Sequence, residues 1–185
     1  MRIDITLRIT AEILESAFRS TDKSLMGHWG THFDVMDKDF PLEYTERNGI
    51  VFDVRMVKDR DIDIPDIDIS KVSQDMFVVF YTGYIENERY GTSEYFKEHP
   101  QLSLGLIDAL LDKKVSVIGL DFAGVRRGKE HTPMDQKCAD RGVFIIENLC
   151  DLGRVLEKGD CFKASIYPMN CIGMTGLPCR VTVDI

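Results

Sequence analysis

Three apolar runs constrain this chain more than any other feature: DMFVVFYTG at residues 75–83, VSVIGLDFAG at 115–124 and VFIIENL at 143–149. The first two read as buried strands and the third as a strand, since runs apolar along nearly their whole length have no wet face. Strands of that kind need a covering layer, and helical patterns lie between them. Thr92 or Ser93 starts a short helix that ends near Pro100. Ser103 caps a second, with Leu104, Ile107, Leu110 and Leu111 at helical spacing. Thr132 as N-cap, Pro133 at the first helical position, Asp135 closing the capping pattern and Gly142 as a stop predict a third. Upstream, RIDITLR (2–8) alternates like a half-buried strand. Residues 9–21 then take a helical period, with Thr10 as N-cap and Ile13, Leu14 and Phe18 inward. Residues 49–58 read as a strand, and 161–168 and 178–185 as a final hairpin or strand pair. The Asp/Ile alternation around Pro65 reads as an edge segment or loop. Strands and helices interspersed in this way predict a mixed α/β layer fold with one core, a single domain over all 185 residues.

The net charge of -8 repels phosphates, so neither nucleic acid nor an anionic membrane is an expected partner. The one short basic cluster, Arg126-Arg127-Gly128-Lys129, is too small to reverse this. No run approaches the roughly eighteen apolar residues of a membrane span. The charged N-terminal stretch does not read as a signal peptide, and a cytoplasmic setting is expected. The five cysteines, an odd set with no CxxC pair, then read as free buried thiols. Gly-rich phosphate loops and Gly-x-Ser-x-Gly elbows do not occur, and the aspartates at 59–68 lack the glycine and glutamate of a calcium loop.

One stretch carries chemistry-bearing residues at high density. MGHWGTHFDVMDKDF (26–40) holds His28, His32 and Asp34, and with them half of the chain's four histidines. A common metal requires their donor atoms to lie about 2 Å from one point. On an extended strand the two histidines would be roughly 13 Å apart. On a helix they would align at i and i+4, but Asp34 would face the other way. A bend at Gly30 resolves the conflict by folding His28 back over a short His32–Asp34 strand. The competing reading is a pair of exposed histidines beside an acidic loop.

His28-Trp29-Gly30-Thr31-His32-Phe33-Asp34 resembles the His-x-Gly-Thr-His-x-Asp signature of the cyclase family, metal-dependent hydrolases that include bacterial kynurenine formamidase and isatin hydrolase. Tyr81-Thr82-Gly83, Tyr95-Phe96, His99-Pro100 and Leu102-Ser103 resemble the family's middle segment. Val117-Ile118-Gly119-Leu120-Asp121 and Ile145-Ile146-Glu147-Asn148-Leu149 resemble two of its strands, in the family's order. The resemblance implies a swivelling β/β/α domain with a mixed sheet and flanking helices, assembled as a homodimer or larger homo-oligomer and acting on a small-molecule substrate. It implies Zn²⁺ or Mn²⁺ held by His28, His32 and Asp34, with Glu147 as a late acidic ligand or metal-proximal residue. The implied chemistry is hydrolysis of an amide-like or cyclic amide/ester bond.

The chain departs from the family pattern twice. Where an Asp-x-Pro-x-His continuation is usual, Met36 replaces the proline and Lys38 the histidine of the general acid/base. An ammonium of ordinary pKa about 10.4 is a poor base, so Lys38 is either tuned by a neighbouring cation or a solvated lysine among aspartates. Twelve residues before Glu147, a family histidine ligand is replaced by Asp135, which reads equally as a ligand or as the capping acid of its helix. His131, four residues earlier, is then a candidate ligand or proton shuttle. Trp29 reads as a stacking surface for an aromatic substrate or as a core anchor. Arg126 reads as a carboxylate clamp or as a surface residue. The rival to an enzyme is a non-catalytic metal-binding member of the fold that has lost its base.

Overall fold

A computed structural model describes residues 1–19 and 27–185. The elements, in chain order, are β1 (Arg2–Asp4), α1 (Ala11–Arg19), β2 (His32–Asp34), β3 (Glu46–Asp53), β4 (Phe77–Tyr81), α2 (Tyr84–Asn87), α3 (Ser93–Lys97), α4 (Leu104–Asp112), β5 (Val117–Leu120), α5 (His131–Asp140), β6 (Phe144–Glu147), α6 (Leu152–Leu156), β7 (Cys161–Pro168) and β8 (Gly176–Asp184). The mixed α/β class is therefore the observed one. None of the described helices is long and apolar enough to cross a membrane.

The sheet closes on itself. β3, β4, β5 and β6 run parallel in that order. β6 pairs antiparallel with β2, β2 with β8, β8 with β7, and β7 with β3, completing a ring of seven strands. β1 lies on β8 beyond its pairing with β2. Alternate residues of the parallel strands serve two cores. Phe77, Val79, Val117 and Ile146 point into the ring with Phe33, Phe162 and Val181. Val78, Phe80, Ile118 and Ile145 point outward against Leu106, Ile107 and Leu110 of α4 and Cys138 of α5. Burial on both faces is why these strands read as continuous apolar runs, whereas β7 alternates exposed and buried positions.

Thr92 and Ser103 cap α3 and α4 as expected, accepting from the amides of Tyr95 and Leu106. Thr10 accepts from Ile13 at 3.4 Å. The side chains of Leu14 and Phe18 lie outside the described residues. The Asp/Ile alternation forms two short 3-10 turns, capped by Asp63 and Asp68.

Three expectations are corrected. β3 begins at Glu46 and ends at Asp53, because pairing with β7 recruits its polar start and the Asp53 carboxylate turns back onto Arg55. The cysteines are unpaired, but Cys161 is exposed. α5 begins at His131, after a 3-10 turn at Gly128–Glu130, so Thr132 is not its N-cap. Pro133 still falls in the first turn, where its missing N–H costs nothing. Asp135 is thereby moved off the capping position and buried, one turn beyond His131.

Candidate metal centre

β2 is only three residues long, yet its alternation is strict. Phe33 points into the ring core, which puts His32 and Asp34 on the opposite face, towards α5. In the β2–β6 ladder His32 stands directly opposite Glu147, so register alone brings a carboxylate beside the imidazole. Gly30, with φ +65, supplies the expected bend. His28 returns over the strand with Nδ1 2.9 Å from Asp34 Oδ1. Its Nε2 lies 2.8 Å from Thr175 Oγ1, and the Thr175 carbonyl accepts from the amides of Val35 and Met36. Thr175 thus anchors both His28 and the end of β2.

The first turns of α5 close the other side. His131 Nε2 lies 3.1 Å from Asp135 Oδ2 and 3.3 Å from Glu147 Oε1. Its ring packs over Gly124, where a Cβ would lie 2.8 Å from His131 Cε1. Two groups of donor atoms result, His28/His32/Asp34 and Asp34/His131/Asp135, with Asp34 common to both.

His32 Nδ1 lies 2.9 Å from the Gly30 carbonyl and can only donate there. Its Nε2 is then aimed at Asp34 Oδ1 and Glu147 Oε2, each 3.5 Å away. His32 Nε2, both Asp34 oxygens, Asp135 Oδ1 and Glu147 Oε1 are all buried without a well-directed hydrogen bond among the described residues, His28 and His131 meeting Asp34 and Glu147 only as close N···O approaches. Buried polar atoms are rarely left so, and here five of them cluster. Burial disfavours charge on His32, but Asp34 and Glu147 outweigh it and lift its pKa to about 9. Burial also opposes charge on His131, yet Asp135 and Glu147 raise its pKa to about 11. Asp135 is pushed up to about 7, first by burial, with His131 pulling the other way. Asp34 is also buried, but His32 and His28 hold its pKa below the usual carboxylate range. Converging carboxylates and imidazoles of this kind need a proton or a cation between them, and the N/O donor set suits a divalent metal ion.

Six residues expected at the site are therefore brought together: His28, His32, Asp34, His131, Asp135 and Glu147. Three others are not. The Lys38 ammonium lies 2.9 Å from Asp37 and 2.7 Å from Asp140, and both carboxylates raise its pKa. That is the opposite of what a base needs. Arg126 directs Nε and Nη2 to Glu130 and Nη1 to Asp61 and the Leu102 carbonyl, which leaves no fork for a substrate carboxylate. Trp29 lines a cavity of about 300 Å³ with Leu7, Ile9, Tyr167, Met169 and Pro178, and none of the six residues borders it. Thr175 and Gly124 were not singled out from the sequence. Thr175 carries no local signal, being remote from residues 28–36. Gly124 was visible only as the end of an apolar run.

Solved structures share this architecture. A predicted metal-dependent hydrolase from Bacillus stearothermophilus matches with a TM-score of 0.75 at 22% identity, over 99% of this chain and 97% of that one. Isatin hydrolase A from Ralstonia solanacearum matches with a TM-score of 0.72 at 16% identity, over 99% and 91%. Isatin hydrolase A from Labrenzia aggregata, bound to benzyl benzoate, matches with a TM-score of 0.70 at 17% identity, over 85% and 73%. No curated protein matches the sequence significantly. The family model for putative cyclases matches residues 3–126, a span that runs from β1 through the His28–Asp34 stretch to the glycine beneath His131, and on that match the chain belongs to the cyclase family.

Proposed function

We propose that this protein is a metal-dependent hydrolase of small molecules, cleaving an amide-like or cyclic amide/ester bond. The observation that carries the reading is the convergence of five buried donor atoms from His32, Asp34, Asp135 and Glu147, none of them in a well-directed hydrogen bond. The fold shared with isatin hydrolases supports it. His28, His32 and Asp34 would hold the ion, with Glu147 and Asp135 completing its surroundings. When bound, a divalent ion supplies Lewis acidity for a carbonyl and for water.

The chain's own residues supply orientation and a proton. The Gly30 carbonyl fixes the His32 ring so that Nε2 faces the donor cluster. Thr175 does the same for His28. His131 is about a third exposed, whereas Asp135 and Glu147 are buried. It holds a proton on Nε2 between the two carboxylates and is placed to pass it to a leaving group arriving from the open side. Lys38 has no such part. The exposed Tyr167, Met169 and Ile172 around the β7–β8 connection support assembly into a homodimer or larger homo-oligomer, which light scattering would measure.

The rival, a metal-binding member without catalysis, draws on the ion-paired state of Lys38. Elemental analysis followed by assay of chelated and Zn²⁺- or Mn²⁺-reconstituted protein on formanilide, isatin and a lactone separates the two. Metal-dependent turnover abolished by His32→Ala is expected. Stoichiometric metal without turnover across the panel would favour the rival, and absence of any tightly held metal would overturn both.

A further inference from the structure

Asn148 follows Glu147 at the end of β6 and is not one of the clustered donors. It is 1% exposed and adopts φ +60, the left-handed region that side chains other than glycine seldom enter. All its polar groups are used. Its N–H donates to the Phe122 carbonyl at 3.2 Å, and its C=O accepts from Thr31 Oγ1 at 2.8 Å. The side-chain Oδ1 accepts from the buried Tyr95 hydroxyl at 2.8 Å, and Nδ2 donates to the Gly30 carbonyl at 2.9 Å. The amide cannot be reversed, because Oδ1 would then face a carbonyl that only accepts.

The Gly30 carbonyl is the acceptor for His32 Nδ1. It belongs to a peptide with wide conformational freedom, since Gly30 has no Cβ and sits at φ +65. If that peptide rotates, the ring loses the bond that aims Nε2 at Asp34 and Glu147. Two side chains hold the residue from opposite ends. The Gly30 N–H donates to Tyr90 Oη at 2.6 Å, while Asn148 occupies the second lone pair of its carbonyl. Asn148 is in turn fixed by Tyr95 from α3 and by the turn it takes out of β6.

We propose that Asn148 is a positioning residue for His32: through Tyr95 Oη–H···Oδ1 and Nδ2–H···O=C of Gly30, it locks the peptide that orients the imidazole. The left-handed turn at residue 148 points the amide across to Gly30 instead of along the strand. This inference rests on the metal-centre reading for its consequence, but its geometry concerns the protein alone.

The decisive variant is Asn148→Gly, because glycine accepts φ +60 without strain and removes only the amide. Asn148→Gly is expected to fold, to bind Zn²⁺ roughly 10–100-fold more weakly in a chelator-competition titration, and to lose the exchange-protected His32 Nδ1 proton in ¹⁵N-edited NMR of the metal-free protein. His32→Gln identifies that signal. Tyr95→Phe, which leaves the backbone untouched, is expected to shift both readouts in the same direction by less, and serves if Asn148→Gly does not fold. Parent-like Zn²⁺ affinity together with a retained His32 signal would overturn the proposal. If the parent binds neither Zn²⁺ nor Mn²⁺, the metal-centre reading falls and the His32 signal alone decides whether Asn148 positions the ring.

Discussion

His99 is buried, stacks on Phe122 with ring centroids 5.6 Å apart and bonds the Pro100 carbonyl through Nδ1 at 2.7 Å. Its Nε2 has no partner among the described residues, so a second proton there would be a buried donor without an acceptor. Burial accordingly lowers its pKa to about 4, below the 6.5 of an open imidazole. The unfolded chain therefore binds more protons between those values. The associated stability is fully present above pH 6.5 and is lost as pH falls towards 4, by up to about 3 kcal/mol. Urea unfolding at pH 7.5 and 5.0 should show this loss in the parent and less of it in His99→Phe; equal losses in both would assign the effect elsewhere. Lys38 gives the contrary case of a residue whose position in a motif promised a role its surroundings deny. Lys38→Met is expected to leave kcat and KM essentially unchanged, whereas a base would show a large fall in kcat alone.

At the scale of elements, α4 and α5 differ in how far local sequence decides them. Ser103 does for α4 what its residue type predicts, accepting from Leu106 at 3.0 Å, and its hydroxyl also ties the helix to Asp63 at 2.5 Å. Ser103→Ala should cost about 1 kcal/mol in urea unfolding; a change indistinguishable from zero would mean that the cap is replaced by solvent. α5 ignores an apparently sound capping pattern, because the turn at Gly128 starts it at His131 and puts Asp135 against β6. The close approach of His131 to Gly124 makes that loop part of the site. Gly124 has φ +110 as well as no room for a Cβ. Gly124→Ala should displace the His131 ring and lower kcat/KM by up to about 100-fold with the fold retained by circular dichroism. Unaltered kinetics would remove His131 from the reaction.

The whole molecule is tied together at the donor cluster, since β2, β6 and α5 are joined there from opposite halves of the chain. An ion bound only by the folded state should stabilise it by about 2.7 kcal/mol at a free concentration 100 times its Kd. Differential scanning calorimetry with and without Zn²⁺ should show the corresponding rise in Tm, absent in His32→Ala; a rise that persists in the variant would place the ion elsewhere. Several features were legible beforehand because their causes are local. Apolar runs demand two-sided burial, Ser103 and Thr92 cap the helices they precede, and His28, His32 and Asp34 lie within one bend of each other around Gly30. Other features depend on which surfaces meet. The register that sets Glu147 opposite His32, the closure of the ring through β7, the hold of Thr175 on His28 and the redirection of Asp135 all join residues far apart in sequence. Sequence by itself determined which segments are strands and which short stretch, residues 28–34, could gather a metal. Only the tertiary structure decided which distant carboxylates and which histidine complete the centre, because strand register and helix phase are settled by packing between elements.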